Sequence, residues 1–293
     1  MLEKIPIGKL NEFIGKYSDI LFASLIVIPL AMIIIPMPTW LIDILLTVSI
    51  TIAIVILLVS FYISEALRIA SFPTILLMCT LFRLSLNISS TRLVLAHGYA
   101  GEVINAFGSF VVGGNYVVGG VLFLIITLVN FIVIAKGAER VSEVAARFTL
   151  DAMPGKQMSI DADLRAGIIN VEQALQRRLT LQRESQMYGA MDGAMKFVKG
   201  DVIAGIVIAV INIIGGLIIG VMMHNMTALQ AARTYTLLSI GGGLVTQIPS
   251  LLISLTSFPV EIPKADTCAH GPRSSAISST HEPLRNVAIA SRF

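Results

Sequence analysis

From Trp40 to Ile63 the chain runs through apolar residues broken by a single charge, Asp43. A run of about 20 mainly apolar residues matches the thickness of the lipid hydrocarbon layer. The feature recurs at Ile20–Pro36, Phe72–Leu95, Val117–Ala135, Val202–Met223 and Tyr235–Thr256. In lipid every backbone polar group must be satisfied internally, which a helix achieves within its own segment. The fold class predicted is an all-α integral membrane protein, a polytopic bundle of about six transmembrane helices. Charge supports this: 13% of the 293 residues are charged and the mean hydropathy is +0.84, against about 25% charged in a soluble domain. The first apolar run is too long for a cleavable signal and has no small-residue exit, so it is expected to remain as an anchor.

The spans divide the chain into five parts. Residues 1–19 form a polar N-terminal segment with Lys4, Lys9 and Lys16, and residues 20–136 hold helices one to four. Residues 137–200 form a long polar loop, 201–257 hold helices five and six, and 258–293 form a tail without an apolar run. Ser, Pro and Arg dominate that tail, which reads as disordered. The His97–Tyr116 stretch reads as a Gly-rich connection. Lys and Arg collect in short cytoplasmic loops. Between Lys136 and Lys199 the sequence has ten of them, whereas the His97–Tyr116 stretch and the Pro36–Thr39 turn have none. A cytoplasmic N-terminus followed by six spans puts all the basic segments on one side.

The third span, "FPTILLMCTLFRLSLNISSTRLVL", is unusual. Arg83 falls mid-span, where an arginine costs roughly 2.5–3.5 kcal/mol on insertion scales. At 100° per residue Arg83, Asn87 and Ser90 share one face, and Ser85, Ser89 and Arg92 fall nearly opposite. A helix with two polar faces is expected inside a bundle or along an aqueous path. Arg92 is near enough to the span end to snorkel. The acids that could answer Arg83 are Asp43 and Asp201. Either can be a relay group, since intramembrane acids mark ion and proton paths. Either can also serve a helix start, Asp43 in the first turn of span two and Asp201 as an N-cap at the head of span five. Small residues at Gly113–Gly114, Gly119–Gly120, Gly216/Gly220 and Gly241–Gly243 suit close helix packing.

Catalytic and cofactor signatures are missing. A phosphate-binding G-x-x-x-x-G-K-[ST] would need Gly at 150 and Ser or Thr at 157, where Leu150 and Gln157 stand. Cys79 and Cys268 lie far apart with no C-x-x-C. His97 and His224 lack acidic or cysteine companions and read as interfacial. No enzyme activity, cofactor, metal or nucleic-acid partner is expected.

The polar loop opens with "RVSEVAARFTLDAMPGKQMSIDAD". Glu139–Leu150 reads as an amphipathic helix with Val141, Val144, Ala145 and Phe148 on one face. Pro154 and Gly155 are expected to break it. A second helix would start at Ser159 or Asp161 and carry a stripe of Leu164, Ile168, Val171, Leu175 and Leu179. Two such helices would lie on each other, on the membrane surface or on a neighbouring subunit.

This stretch resembles the signature of the FHIPEP family, the export-gate proteins of flagellar and virulence type III secretion systems. The resemblance continues through "FRLSLNISSTRLVL", "FGSFVVGGNYVVG", "ESQMYGAMDGAMKFVKGD" and "IPSLLISLT", and it covers about Ser18 to Thr256. The injectisome branch is the closer one. The resemblance implies a bacterial inner-membrane subunit, assembled as a nine-membered homo-oligomeric ring with other export-apparatus subunits. It implies coupling of the proton motive force to the passage of secreted proteins, with Arg83, Lys199 and Asp201 matching the family's coupling residues. Asp43 is the further candidate. It also makes the signature loop, with Arg140, Glu143, Arg147, Asp151, Pro154, Gly155, Lys156 and Asp161, a candidate subunit interface.

Two departures from the family pattern stand out. Gly242 replaces the acid of the usual Gly-Asp-Gly, and the match stops near Ser257, ahead of the further helices and cytoplasmic domain that the family carries. A truncated reading frame is the expectation. The competing readings are a small secondary transporter using Arg83 and Asp201 for proton-coupled solute movement, and a nonfunctional remnant.

Overall fold

The computed structural model describes residues 23–62 and 71–261. The polar N-terminal segment, Cys268 and nearly all of the tail after Ser257 lie outside the described residues. Among those described, every regular element is helical. A shorter apolar helix, α1 (Ala23–Ile34), is followed by α2 (Thr39–Tyr62), α3 (Phe72–His97), α4 (Glu102–Val112) and α5 (Tyr116–Asn130). A π-helical segment, Phe131–Ala138, joins α5 to α6 (Glu139–Arg165), and α7 (Val171–Met222) and α8 (Ala228–Glu261) complete the bundle. Five helical stretches are long and apolar enough to cross a membrane, at the positions expected for spans two to six. The described part of the first span is the shorter helix α1.

Three expectations require correction. The Gly-rich connection contains α4, an apolar helix bounded by glycines that adopt positive φ at both ends, Gly101 (113°) and Gly113 (51°). The signature does not break at Pro154. α6 runs unbroken through it, although proline removes one backbone hydrogen bond. The cause is packing. Met153, Ile160 and Leu164 lie against Ile169 of the turn and Ala174 and Leu181 of the adjoining helix, and that shared apolar seam holds the helix past the proline.

The second helix then starts at Asn170, not at Ser159 or Asp161. Gly167 takes a left-handed φ of 72° and turns the chain. Asn170 accepts from Gln173 N at 2.8 Å while Gln173 Oε1 accepts from Asn170 N at 3.1 Å, a reciprocal cap. Because the turn falls between them, Ile168 and Val171 are not on one helix face with Leu164. Ile168, Val171, Leu175 and Leu179 are exposed, and Ile160, Ile169, Ala174 and Leu181 are the buried seam. On α6 likewise, Val141, Val144 and Phe148 are exposed and Ser142 and Ala146 are buried.

α7 has 52 residues, about 78 Å at 1.5 Å per residue. The hydrocarbon layer is about 30 Å thick, so the polar first half of α7 and its partner α6 form an antiparallel hairpin that continues out of the apolar bundle. α3 is the inner helix. Thr80, Arg83, Ser85, Asn87, Ser89 and Ser90 are all buried on it, as its two polar faces require. One face turns to α1, where Ser89 donates to Met32 O at 2.6 Å. Arg92 does not simply snorkel: it donates to Ile33 O and Ile34 O, both at 2.8 Å, and so closes the carbonyl end of α1.

Glycines set the helix spacing. Gly216 and Gly220 leave the groove in α7 that receives the fully buried ring of Tyr235 from α8. Gly241 on α8 lies against Ile104 O of α4, and Gly108 of α4 lies against Leu237 O of α8, so these two backbones touch.

A buried charge pair as the candidate functional site

The other polar face of α3 meets α7 and α8. Arg83 Nη2 stands 2.8 Å from Asp201 Oδ2, and each side chain is only 5% exposed. The same nitrogen donates to Thr246 O of α8 at 3.0 Å. Asp201 is therefore not an N-cap: it sits inside the long α7, where Gly200 gives no break and the polar half of the helix passes into its apolar half. Of the two acids that sequence offered to Arg83, the fold selects Asp201.

Burial makes this contact consequential. Removing a buried ion from water costs several kcal/mol, and the attraction of a close partner offsets that cost. Taking away one partner of such a pair costs about 3–5 kcal/mol, because the other charge is left uncompensated. Asn87 of α3, Thr127 and Asn130 of α5, and Gln247 and Ser250 of α8 surround the pair. Gln247 Nε2 donates to Thr127 Oγ1 at 2.8 Å, tying α8 to α5 beside it. Asn130, 1% exposed, immediately precedes the π-helical segment. The wider turn of that segment places Ile134 against Val198 and Val202 of α7, next to Asp201.

Two residues before Asp201, Lys199 Nζ contacts Glu139 Oε2 at 2.6 Å, where α6 leaves the π-helical segment. Glu139 has no role in the sequence reading. Its position at the head of the signature, opposite a basic helix, is the signal that could have shown it. Asp43 lies elsewhere. Its Oδ2 accepts from Glu102 N and its Oδ1 from Val103 N, both at 3.0 Å, so its carboxylate caps α4 and not its own helix. In the same turn Tyr99 Oη donates to Glu102 Oε1 at 2.8 Å, and that carboxylate holds the phenol above its usual range.

The signature residues spread along the hairpin. Arg140 pairs with Glu143 in its own helix at 2.9 Å. Lys156 reaches Glu184 at 3.3 Å, Asp161 pairs with Arg178, and Asp163 pairs with Arg177 at 3.1 Å, all across the hairpin. Exposed pairs of this kind contribute roughly 0.2–1 kcal/mol each. Arg147 and Asp151 are exposed, and among the described residues no ion pair holds either. Pro154 and Gly155 are exposed on the same stretch.

Residues 29–260 match the FHIPEP family. The chain is 59% identical over 250 residues to the hypersensitivity response secretion protein HrcV of Ralstonia nicotianae, which covers 85% of this chain and 36% of HrcV. It is 55% identical over 240 residues to the secretion system apparatus protein SsaV of Salmonella typhimurium, covering 82% of this chain and 35% of SsaV. It is 52% identical over 244 residues to the low calcium response locus protein D of Yersinia pestis, covering 83% of this chain and 35% of that protein. The chain thus spans about a third of the length of these relatives. No solved structure matches it. With the family match running from α1 through α8 and a bundle of membrane-length helices beneath it, the chain belongs to the FHIPEP family.

Proposed function

We propose that this chain is the membrane domain of a type III secretion export gate in the bacterial inner membrane, where protonation of Asp201 is coupled to protein export. The Arg83–Asp201 pair carries the reading. It is the ion pair among those described with both side chains nearly withdrawn from solvent, it lies where three membrane helices meet, and polar side chains surround it. The names of the relatives, a secretion apparatus protein and secretion proteins among them, support the same assignment.

The chemistry follows from the charges. With Asp201 ionised, Arg83 is compensated and α7 is held to α3 and α8. A proton arriving at Asp201 cancels the carboxylate and leaves the guanidinium with Thr246 O and neutral neighbours. That state favours a rearrangement of α7, whose polar half is continuous with the signature hairpin. Lys199 and Glu139 form the hinge between the two halves. Asp43 enters as a cap of α4, not as a relay. The exposed signature surface, where among the described residues no ion pair holds Arg147 or Asp151 and Val144 and Phe148 lie beside them, serves a homo-oligomeric ring and the other apparatus subunits. The six-span topology with a cytoplasmic N-terminus, and lipid around the bundle, complete the proposal.

The test places residues 29–257 of this chain in a full-length relative such as HrcV, in place of its matching stretch. Secretion should be restored, and Asp201→Asn in that chimera should lower it at least 100-fold with the protein still present in the membrane. Secretion unchanged by Asp201→Asn would refute the coupling role.

A further inference from the structure

The charge pair adjoins a small space among α3, α5, α7 and α8. Its polar lining is not satisfied by the protein. Arg83 Nε and Nη1, Asn130 Oδ1, Gln247 Oε1 and Ser250 Oγ are buried and make no hydrogen bond. Asp201 Oδ2 touches Arg83 Nη2 at 2.8 Å but at an angle that leaves it, too, without an aligned hydrogen bond. Buried polar atoms are nearly always partnered, so a group of six around one cavity points to a missing partner.

The donor and acceptor types identify that partner. Guanidinium nitrogens only donate, and amide and carboxylate oxygens only accept. A bound cation would answer the oxygens but would stand against Arg83. An anion would answer Arg83 but would face Asp201 and the amide oxygens. Water does both at once. The space open to water centres is about 20 Å³, and one water needs roughly 10–15 Å³ of it and two to four polar partners. Gln247 is fixed in orientation by its bond to Thr127, so its oxygen is the end left for such a partner.

We propose that this cavity is a built site for one water molecule, hydrogen-bonded to Arg83 Nε and to the free oxygens of Asn130, Gln247 and Ser250. The water joins the charge pair on α3 and α7 to α5 and α8. Its part in transmitting protonation rests on the export-gate reading, but its presence does not.

Gly205 supplies a clean test, because it lines the cavity and a Cβ there would meet only Asn87 Nδ2, at an ordinary 3.8 Å. Gly205→Ala therefore adds a methyl group at the wall of this small cavity without a clash. Gly189→Ala, exposed on the same helix with nothing within 4 Å, is the control. Maps of the full chain in lipid nanodiscs that resolve ordered water should show one peak within about 3.2 Å of Arg83 Nε. That peak should persist in Gly189→Ala and vanish in Gly205→Ala. An unoccupied cavity in the unmutated chain would overturn the proposal, as would rubidium or bromide anomalous signal at the position in crystals soaked with either ion. A peak with export intact in Asp201→Asn would keep the water and reject the coupling role of Asp201. Export lost in Asp201→Asn with no peak would do the reverse.

Discussion

Asp43 shows how one residue is defined by where the chain returns. Its position in the sequence suggests service to α2, yet both carboxylate oxygens cap α4, 59 and 60 residues further on. Gly101 is bound to this arrangement: its φ of 113° and the Asp43 carboxylate standing where a Cβ would be exclude a side chain. Asp43→Ala should lower stability by about 1–2 kcal/mol, since two helix-start N–H groups lose their acceptor. Asp43→Asn, which keeps one oxygen acceptor, should recover part of that. Thermal unfolding in detergent checks both, and equal melting of all three proteins would exclude the cap. Arg83 was legible as a residue needing a partner because no lipid-facing position tolerates it. Its choice of Asp201 over Asp43 was not, because it depends on the crossing of α3 and α7.

Among the elements, α4 and α8 pack through bare backbone. Gly241→Ala would drive a Cβ into Ile104 O and Gly108 N, whereas the neighbouring Gly242 has nothing within 4 Å. Gly241→Ala should therefore cost about 1–3 kcal/mol as overpacking does. Gly242→Ala should be neutral or stabilising by up to about 1 kcal/mol through helix propensity. Parallel melts of the two variants check the pair, and equal effects would show that α4 does not approach α8 this closely. The spans themselves were readable because apolar length is a local property. The signature hairpin was read less well. Pro154 carries a strong local signal, but the seam of Met153, Ile160 and Leu164 on the opposing helix outweighs it. The better signal was the Asn170–Gln173 capping box, three residues after Gly167, which fixes both the turn and the buried face. The π-helical segment had no readable cue: Phe131–Ala138 is composed like any apolar span.

Across the described molecule, the long α7 joins two environments. Its polar half pairs with α6 in a hairpin laced by exposed ion pairs, and its apolar half packs on α3 and α8. Asp201 lies at the junction, with Lys199–Glu139 on one side and the polar cavity on the other. In the proposed function, a proton at Asp201 would act where the two halves of α7 join. Family membership was legible from the signature alone, whereas the junction became visible only when α3, α5, α7 and α8 came together. A buried pair held only for structure can often be exchanged for apolar residues of similar size without loss of stability. The decisive measurement is secretion by the full-length chimera carrying Arg83→Met together with Asp201→Leu, alongside its thermal unfolding in detergent. The expected result is a protein that melts within a few degrees of the unmutated chimera and secretes nothing. Normal secretion by that stable double variant would contradict a coupling role and leave the pair as packing alone.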